Sequence, residues 1–525
     1  MQLKKLLFIL PAAFLAASVS FAQQWQFVGT RAMGMGGAGV ATAYGPDAQY
    51  WNPAGLAQED ERNETGLLIE AGASVEATKH VLEGVRDLTE MSNQYKALQS
   101  TLKNNQKASA SDVEAMFKGL NDIAKLIGKE MGALANANAG VSFKMKNFAV
   151  GMRALGTGAI TPVVDTKNLQ FYSGSGTNPF LGNKAASLNP AQTSAAQALA
   201  NAIDANGVFN SLKTLLNASS CSNSLELATA LVDAARTYGI SDDDILKAFG
   251  QAAEYVPGAS EIINLAGQAT GNYKDNETLV MVDAATFAEA GLGYGQQVIP
   301  GLKLGGNFKV ISGYTAESGV MVLTKDEKIK DILDKAYDNK KNSTNVGIDL
   351  GAMVNLSQLI DKEIFLNPQV GVTARNLNSP KFERPDAPTD LNDAILRNWR
   401  TDKYELKPQV RAGAAINPFK FMTLAADIDV TDNSTMLNSI KSRQLALGAE
   451  IYLVHRPKFS IPLRLGYNKN LSTSNVSPFY TAGIGFNMAH FHIELAGAIS
   501  NKSTKIDGND IPNSAAASLT LGFLF

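Results

Sequence analysis

Cysteine occurs once in this 525-residue chain, at Cys221. A single cysteine excludes an intramolecular disulfide, a CxxC redox pair and a cysteine-rich zinc site. Histidine is nearly as scarce. His80, His455, His490 and His492 are too scattered for a metal cage, and the last two fall in a turn region, so no metal is expected. Charge is sparse too, at 18% of residues, against about 25% in a typical soluble domain. The 47 basic and 49 acidic side chains give a net charge of −2. That balance lacks the basic excess of a nucleic-acid binder. Long apolar runs are missing beyond the N-terminal leader. The uncharged stretch Ala185–Ile203 is rich in Ala, Ser, Gln and Asn, far from the ~18–20 apolar residues of a spanning helix.

Residues 1–22 read as a secretory signal peptide. Lys4 and Lys5 supply the positive start, Leu6–Val19 the apolar core, and Ser20-Phe21-Ala22 small residues before a cut at Gln23. The run is short and broken by Pro11, which argues against an anchor, and no cysteine follows to carry lipid. Export of a chain poor in charge with 45% hydrophobic residues fits a transmembrane β-barrel. In such a barrel one strand face meets lipid and the other a polar lumen.

The last third alternates with period two. Tyr480, Ala482, Ile484, Phe486 and Met488 share one face, Thr481, Gly483, Gly485 and Asn487 the other. Leu445–Leu453 and Met422–Val430 repeat the pattern. Strands are expected at 65–76, 137–146, 147–157, 285–297, 302–315, 343–356, 364–376, 404–416, 420–431, 442–455, 459–469, 478–489, 490–500 and 514–525, about 14 in all. Their links alternate. Lys146-Asn147, Ile299-Pro300-Gly301, Asn417-Pro418-Phe419, Arg456-Pro457-Lys458 and Ala489-His490 are short, whereas 77–136, 158–284, 316–342 and 377–403 are long. Outer-membrane barrels have short periplasmic turns and longer external loops, and a soluble sandwich has no reason to keep that alternation. The fold class expected is an all-β transmembrane barrel of antiparallel strands in the bacterial outer membrane, with lipid as its surroundings. Leu519, Leu521, Phe523 and Phe525 alternate to the end of the chain. This resembles the signal read by the barrel assembly machinery, which makes that machinery an expected partner.

Two insertions change period. In 77–136, Val81, Val85, Leu88, Tyr95, Leu98 and Leu102 predict one helix. Ser111-Asp112-Val113-Glu114 reads as a capping box opening a second, with Met116, Phe117, Leu120, Ile123 and Ile127 behind it. The two are expected to pack as a hairpin, with an apolar ligand groove as the sharper alternative. The second insertion, about 175–275, holds a stripe of Leu225, Leu227, Ala228, Leu231, Val232 and Ala235, then Ser241 capping a helix with Ile245, Leu246, Ala248 and Phe249. Both are expected to be extracellular.

Ahead of the first strand, within 23–60, lies a run rich in Gly and Ala. Gly34, Gly36 and Gly39 satisfy GxGxxG, but no strand leads into them, so a nucleotide site is rejected. Small residues here permit close backbone approach, and Asp47 and Asn52 suit turns that Pro53 stiffens. The run Gly34, Gly36, Gly37, Gly39, the pair Asp47-Ala48, then Trp51, Asn52, Pro53, Ala54 and Gly55-Leu56 resemble the N-terminal hatch of the FadL-like outer-membrane transporter superfamily. The helical insertions look most like its conjugal transfer TraF-type branch. A thioredoxin-like periplasmic protein shares that name, but it needs the CxxC that is absent here. The resemblance implies a fourteen-stranded barrel (61–525) plugged by a hatch (23–60), and passive uptake of hydrophobic molecules, often through a side opening. Some relatives instead serve secretion or conjugation machinery, which would make such machinery the partner.

The lumen face is expected to carry Glu70, Lys144, Arg153, Glu289, Lys309, Asp349, Arg411, Asp427, Asp429, Glu450, Arg464 and Glu494. Asp427 and Asp429 lie two apart on one face. A hydrogen-bonded ladder bracing the interior is preferred to a paired-carboxylate catalytic site. No Ser-His-Asp grouping and no phosphate loop occurs, so neither an enzyme nor a cofactor is expected. Two functions stay open: a transporter of apolar solutes, and a scaffold that presents its insertions to a partner.

Overall fold

In a computed structural model, the structure describes residues 24–58, 65–78, 81, 107–126, 131–170, 178, 180–269, 271–272, 275–321, 329–386, 403–437, 440–456, 458–506 and 509–525. Fourteen antiparallel strands close into one barrel, each paired with its neighbours in the chain and the last with the first. They are β1 (Thr65–Ala77), β2 (Ala133–Met145), β3 (Phe148–Val163), β4 (Leu279–Ile299), β5 (Leu302–Met321), β6 (Lys341–Asn355) and β7 (Gln369–Arg375). The second half is β8 (Gln409–Phe419), β9 (Met422–Asp429), β10 (Gln444–Arg456), β11 (Phe459–Asn470), β12 (Phe479–Met488), β13 (Phe491–Ser500) and β14 (Ser514–Leu524). The last strand closes on the first from Gly66↔Leu524 to Glu76↔Ser514.

Alternation decides which way each side chain points. Ile69, Phe143, Val150, Leu292, Phe308, Ile484, Leu495 and Leu521 are exposed on the outer face. Thr481, Asn468, Ser518 and Thr520 are buried on the inner face. At the short-link end the outer face carries ring pairs: Phe148 with Tyr294 at 4.7 Å, and Phe491 with Phe523 at 4.9 Å. Such aromatic girdles mark a membrane interface.

The wall is lopsided. β3, β4 and β5 have 16, 21 and 20 residues, whereas β7, β8 and β9 have 7, 11 and 8. Several expected boundaries therefore shift. β2 begins at Ala133 rather than 137, β4 at Leu279 rather than 285, β5 runs on to Met321, and β7 covers only Gln369–Arg375. The link 356–368 at the short-link end carries its own turn of helix, Leu356–Leu359.

The insertions share one core. The N-terminal segment holds α1 (Thr30–Gly34) and α2 (Ala48–Trp51), and the first insertion holds α3 (Ala110–Leu126). The second holds α4 (Pro190–Ala205), α5 (Phe209–Leu215), α6 (Ser224–Ala235) and α7 (Asp242–Ala266). The stripe of α3, Met116, Phe117, Leu120 and Ile123, is fully buried in one cluster with Phe249, Val256 and Ile262 of α7. It packs on the second insertion, and among the described residues its apolar stripe is covered rather than open as a groove. Residues 82–106 and Ile127 lie outside the described residues, so the first half of the hairpin does too. The capping box of α3 also sits two residues earlier than expected. Asp112 N donates to Ser109 Oγ at 3.2 Å, and Ser109 N to Asp112 Oδ2 at 2.8 Å. Ser241 does cap α7, accepting from Asp244 N. Leu225 and Leu246, assigned above to apolar stripes, are instead exposed. Ile160 of β3 and Val280 of β4 join the same cluster, so the helices rest on the tall wall.

Candidate functional site

Residues 24–58 lie inside the barrel at its short-link end, nearly all of them buried. Small residues on both surfaces allow this. Gly36 and Gly37, with φ of 68° and 93°, turn the chain through the left-handed region. The wall opposite is lined with glycine at the same level. A β-carbon at Gly448 would stand 2.6 Å from Met35 Cβ, and one at Gly295 would stand 2.8 Å from Ala57 N. Gly466 faces the Gly36 amide, Gly305 the Pro53 carbonyl group, and Gly351 the Asn52 side chain. Segment and wall thus meet backbone to backbone.

Polar bonds fix the register of that contact. Gly36 N donates to Thr481 Oγ1 at 3.0 Å, whose hydroxyl donates to Gly34 O at 2.9 Å. The amides of Gly39 and Val40 both donate to Asp427 Oδ2 at 2.8 Å. Asn52 Nδ2 donates to Val40 O and to Ala352 O of β6, each at 3.1 Å, while its Oδ1 accepts from Ala54 N. Trp51 Nε1 donates to Val28 O at 2.9 Å, and its ring stacks on Trp25. Asp47 makes no side-chain cap bond to α2. Burial raises its carboxyl well above the ordinary carboxylate range, and the neighbouring Glu70 pushes the same way.

The lumen charges are buried and interlocked. Arg464 bonds Glu450 and Glu494, both at 2.7 Å. Arg31 of the N-terminal segment reaches Glu450 at 3.0 Å, and Thr30 donates to Glu494 at 3.0 Å. Arg411 Nε donates to Asp429 Oδ1 at 2.6 Å, and the Arg411 guanidinium lies 4.7 Å from the centre of the Trp25 ring. Asp427 and Asp429 therefore serve different partners. Lys309 bridges Glu289 and Asp349, and Arg153 faces Glu70 at 3.6 Å. Sequence reasoning missed Arg375, which pairs with Glu289 and lies over Tyr50. Its phase with Gly371 and Thr373 on β7 was the available signal. Leu521, Phe523 and Phe525 line the outer face at the barrel seam, and Phe523 packs on Phe525 at 4.5 Å.

Toward the long-link end the filling changes to hydrocarbon. Leu134, Ala159, Ala285, Phe287 and Ile311 of the wall enclose Phe382, Tyr404, Leu406, Met436, Leu437, Ile440 and Val476, which come from links folded inward. One buried latch holds these links. Arg384 donates to Glu317 at 2.8 Å and to Asp283 at 3.2 Å, and Tyr404 donates to Asp283 at 3.1 Å. None of these four residues carried a sequence signal, because they lie where alternation fades. Beside Asn52-Pro53-Ala54 the wall is continuous, with β6 and β7 paired from Leu350↔Ala374 to Asn355↔Gln369. Above that level the chain leaves β7, and Leu377 N bonds Ile348 O instead.

No curated protein matches the sequence. Solved structures of similar arrangement include the Ralstonia pickettii toluene transporter TbuX, 9% identical, covering 95% of this chain and 98% of that one, with a TM-score of 0.41. The Pseudomonas putida toluene transporter TodX is 8% identical, with coverage of 96% and 99% and a TM-score of 0.38. A Pseudomonas aeruginosa FadL homologue is 10% identical, with coverage of 94% and 97% and a TM-score of 0.36. The profile of the family described as F plasmid transfer operon, TraF, protein matches residues 49–429, from within the N-terminal segment through both helical insertions to the end of β9, and the chain belongs to that family.

Proposed function

We propose that this protein resides in the bacterial outer membrane and passes apolar small molecules passively, with residues 24–58 as its plug. The observation that carries this reading is the hydrocarbon filling of the upper lumen. Barrels that pass polar solutes keep a polar interior. Here an apolar solute would exchange for Phe382, Leu437 and their neighbours at little cost, whereas a polar one would lose its hydration. The short links then face the periplasm and the helical insertions the exterior. Protease added to intact cells should cut within the insertions; cutting only after rupture of the outer membrane would invert the topology.

The direct test is uptake of the apolar dye N-phenyl-1-naphthylamine by cells with and without the protein. Uptake should rise with the wild-type protein and fall back with Leu437→Glu, which places a charge in the apolar layer. The polar reporter nitrocefin should enter at the background rate in both. No gain in dye uptake by cells carrying correctly folded protein would sink the transport reading. It would leave a scaffold that presents its helices to a conjugation or secretion partner, a role to which a packed helical core standing on the tall wall is suited.

A further inference from the structure

A cavity of about 760 Å³ opens below the N-terminal segment, at the short-link end. One side is the segment itself, at Tyr44, Gly45, Pro46 and Asp47, and the other is the turns joining β10 to β11 and β12 to β13. Its volume is that of an ordinary small-molecule site. Its lining is chemically two-sided. The turns bring Arg456 and Lys458 to the rim, joined there by His455, His490 and His492, three of the four histidines of the chain. Behind them lie the half-buried rings of Tyr44 and Tyr452.

The two acidic residues in the lining are turned to other tasks. Glu494 is held by Arg464 and Thr30, and Asp47 faces Glu70. Arg31 is likewise engaged by Glu450. Arg456 and Lys458, by contrast, have no ion-pair partner among the described residues. A cavity with two uncommitted cations at its rim and rings behind them is complementary to one kind of molecule. Its negative group would meet the rim cations through charge-assisted bonds, and its apolar body would lie on the rings.

We propose that this vestibule binds a small organic anion with an aromatic or apolar body. The site is periplasmic on the topology given above, and nothing in the lining calls for passage through the barrel. A ligand here bears on residues 44–47 and so presses directly on the segment that fills the lumen. Such an anion would enter from the periplasmic side and report on the seating of that segment.

The experiment is calorimetric titration of the full-length protein, purified in an uncharged detergent, with naphthalene-2-sulfonate. Sodium sulfate and 2-naphthol, each carrying half of the chemistry, serve as comparisons. One-to-one saturable binding of naphthalene-2-sulfonate is expected, with both comparison compounds weaker. The Arg456→Ser/Lys458→Ser variant should bind about tenfold more weakly, a change of about 1.4 kcal/mol. The charge-preserving Arg456→Lys/Lys458→Arg variant should recover most of that loss. Both pairs of substitutions fall in an exposed turn, and heat-modifiable gel migration verifies that each barrel is folded. Absence of saturable binding, equal binding by the serine variant, or equal binding of 2-naphthol or sulfate would each overturn the proposal. The titration needs no transport, so failure of dye uptake and failure of binding are distinguishable outcomes.

Discussion

The two halves of the lumen are filled by opposite means. At the short-link end, charges, amides and glycines meet in a fixed register: Arg464 between two carboxylates, and the amides of Gly39 and Val40 on Asp427. At the long-link end, side chains such as Phe382, Met436 and Leu437 simply exclude water, with one buried latch at Arg384. A polar lock tolerates few arrangements, because each buried charge left unpaired costs several kcal/mol. An apolar filling tolerates many, because contact between hydrocarbon surfaces is not directional. The lower layer is therefore built to hold one position, whereas the upper layer is built of contacts that can repack.

This contrast can be broken at its strongest point first. Arg464→Ala leaves Glu450 and Glu494 buried without their main partner, and a loss of about 3–5 kcal/mol is expected. Chemical unfolding in detergent should show it, and planar-bilayer conductance should rise as Arg31 and Thr30 lose ordered partners. A conductance unchanged from wild type would mean that the lower layer does not depend on its charges. A smaller effect is expected from Gly466→Val, whose side chain would meet the backbone at Met35 and Gly36. Overpacking of this kind costs about 1–3 kcal/mol. It should raise conductance while strand pairing, read by circular dichroism, stays intact. A comparable change on the outer face, Leu465→Val, should do almost nothing.

The smallest effect is that of pH on Asp47. Its carboxyl keeps its proton to higher pH in the folded chain than in the unfolded one. The contribution of Asp47 to the seating of the segment is thus greatest at acid pH. It weakens as pH rises from about 4, the ordinary aspartate value, through the raised value of the folded state. Conductance should climb with pH across that range, and Asp47→Asn should flatten the climb. A slope that survives in the Asn variant would assign the effect to another group.

Strand number and link alternation were legible because lipid covers one face of the wall and the lumen the other. Where both faces are covered the signal vanishes. Leu279–Asp283 at the start of β4 is buried at every position, which is why periodicity alone starts that strand six residues late. The capping box of α3 is displaced because Ser109-Asp112 and Ser111-Glu114 satisfy the same spacing, and only packing against α7 decides between them. Periodicity shows that Met116 and Leu120 are buried, but not which helix buries them. The small residues of 34–39 announced a close approach without naming the surface approached, and Arg384 lies in a link where no period operates. Composition reveals what kind of contact a segment can make. The partner is set by topology.

The contacts of α1 also impose an order of events. Thr30, Arg31 and Gly36 find their partners on Thr520, Glu450 and Thr481, more than 400 residues later in the chain. The N-terminal segment therefore waits for nearly the last of the chain. Until β10–β14 are in place it has no surface to settle on, and its glycines and amides stay open to water. Insertion of the wall and seating of the segment are then separable steps, the second depending on the first. An intermediate with a closed but unfilled barrel should exist for a time during assembly. It would leak, so a cell that makes this protein benefits if the final step follows closure quickly.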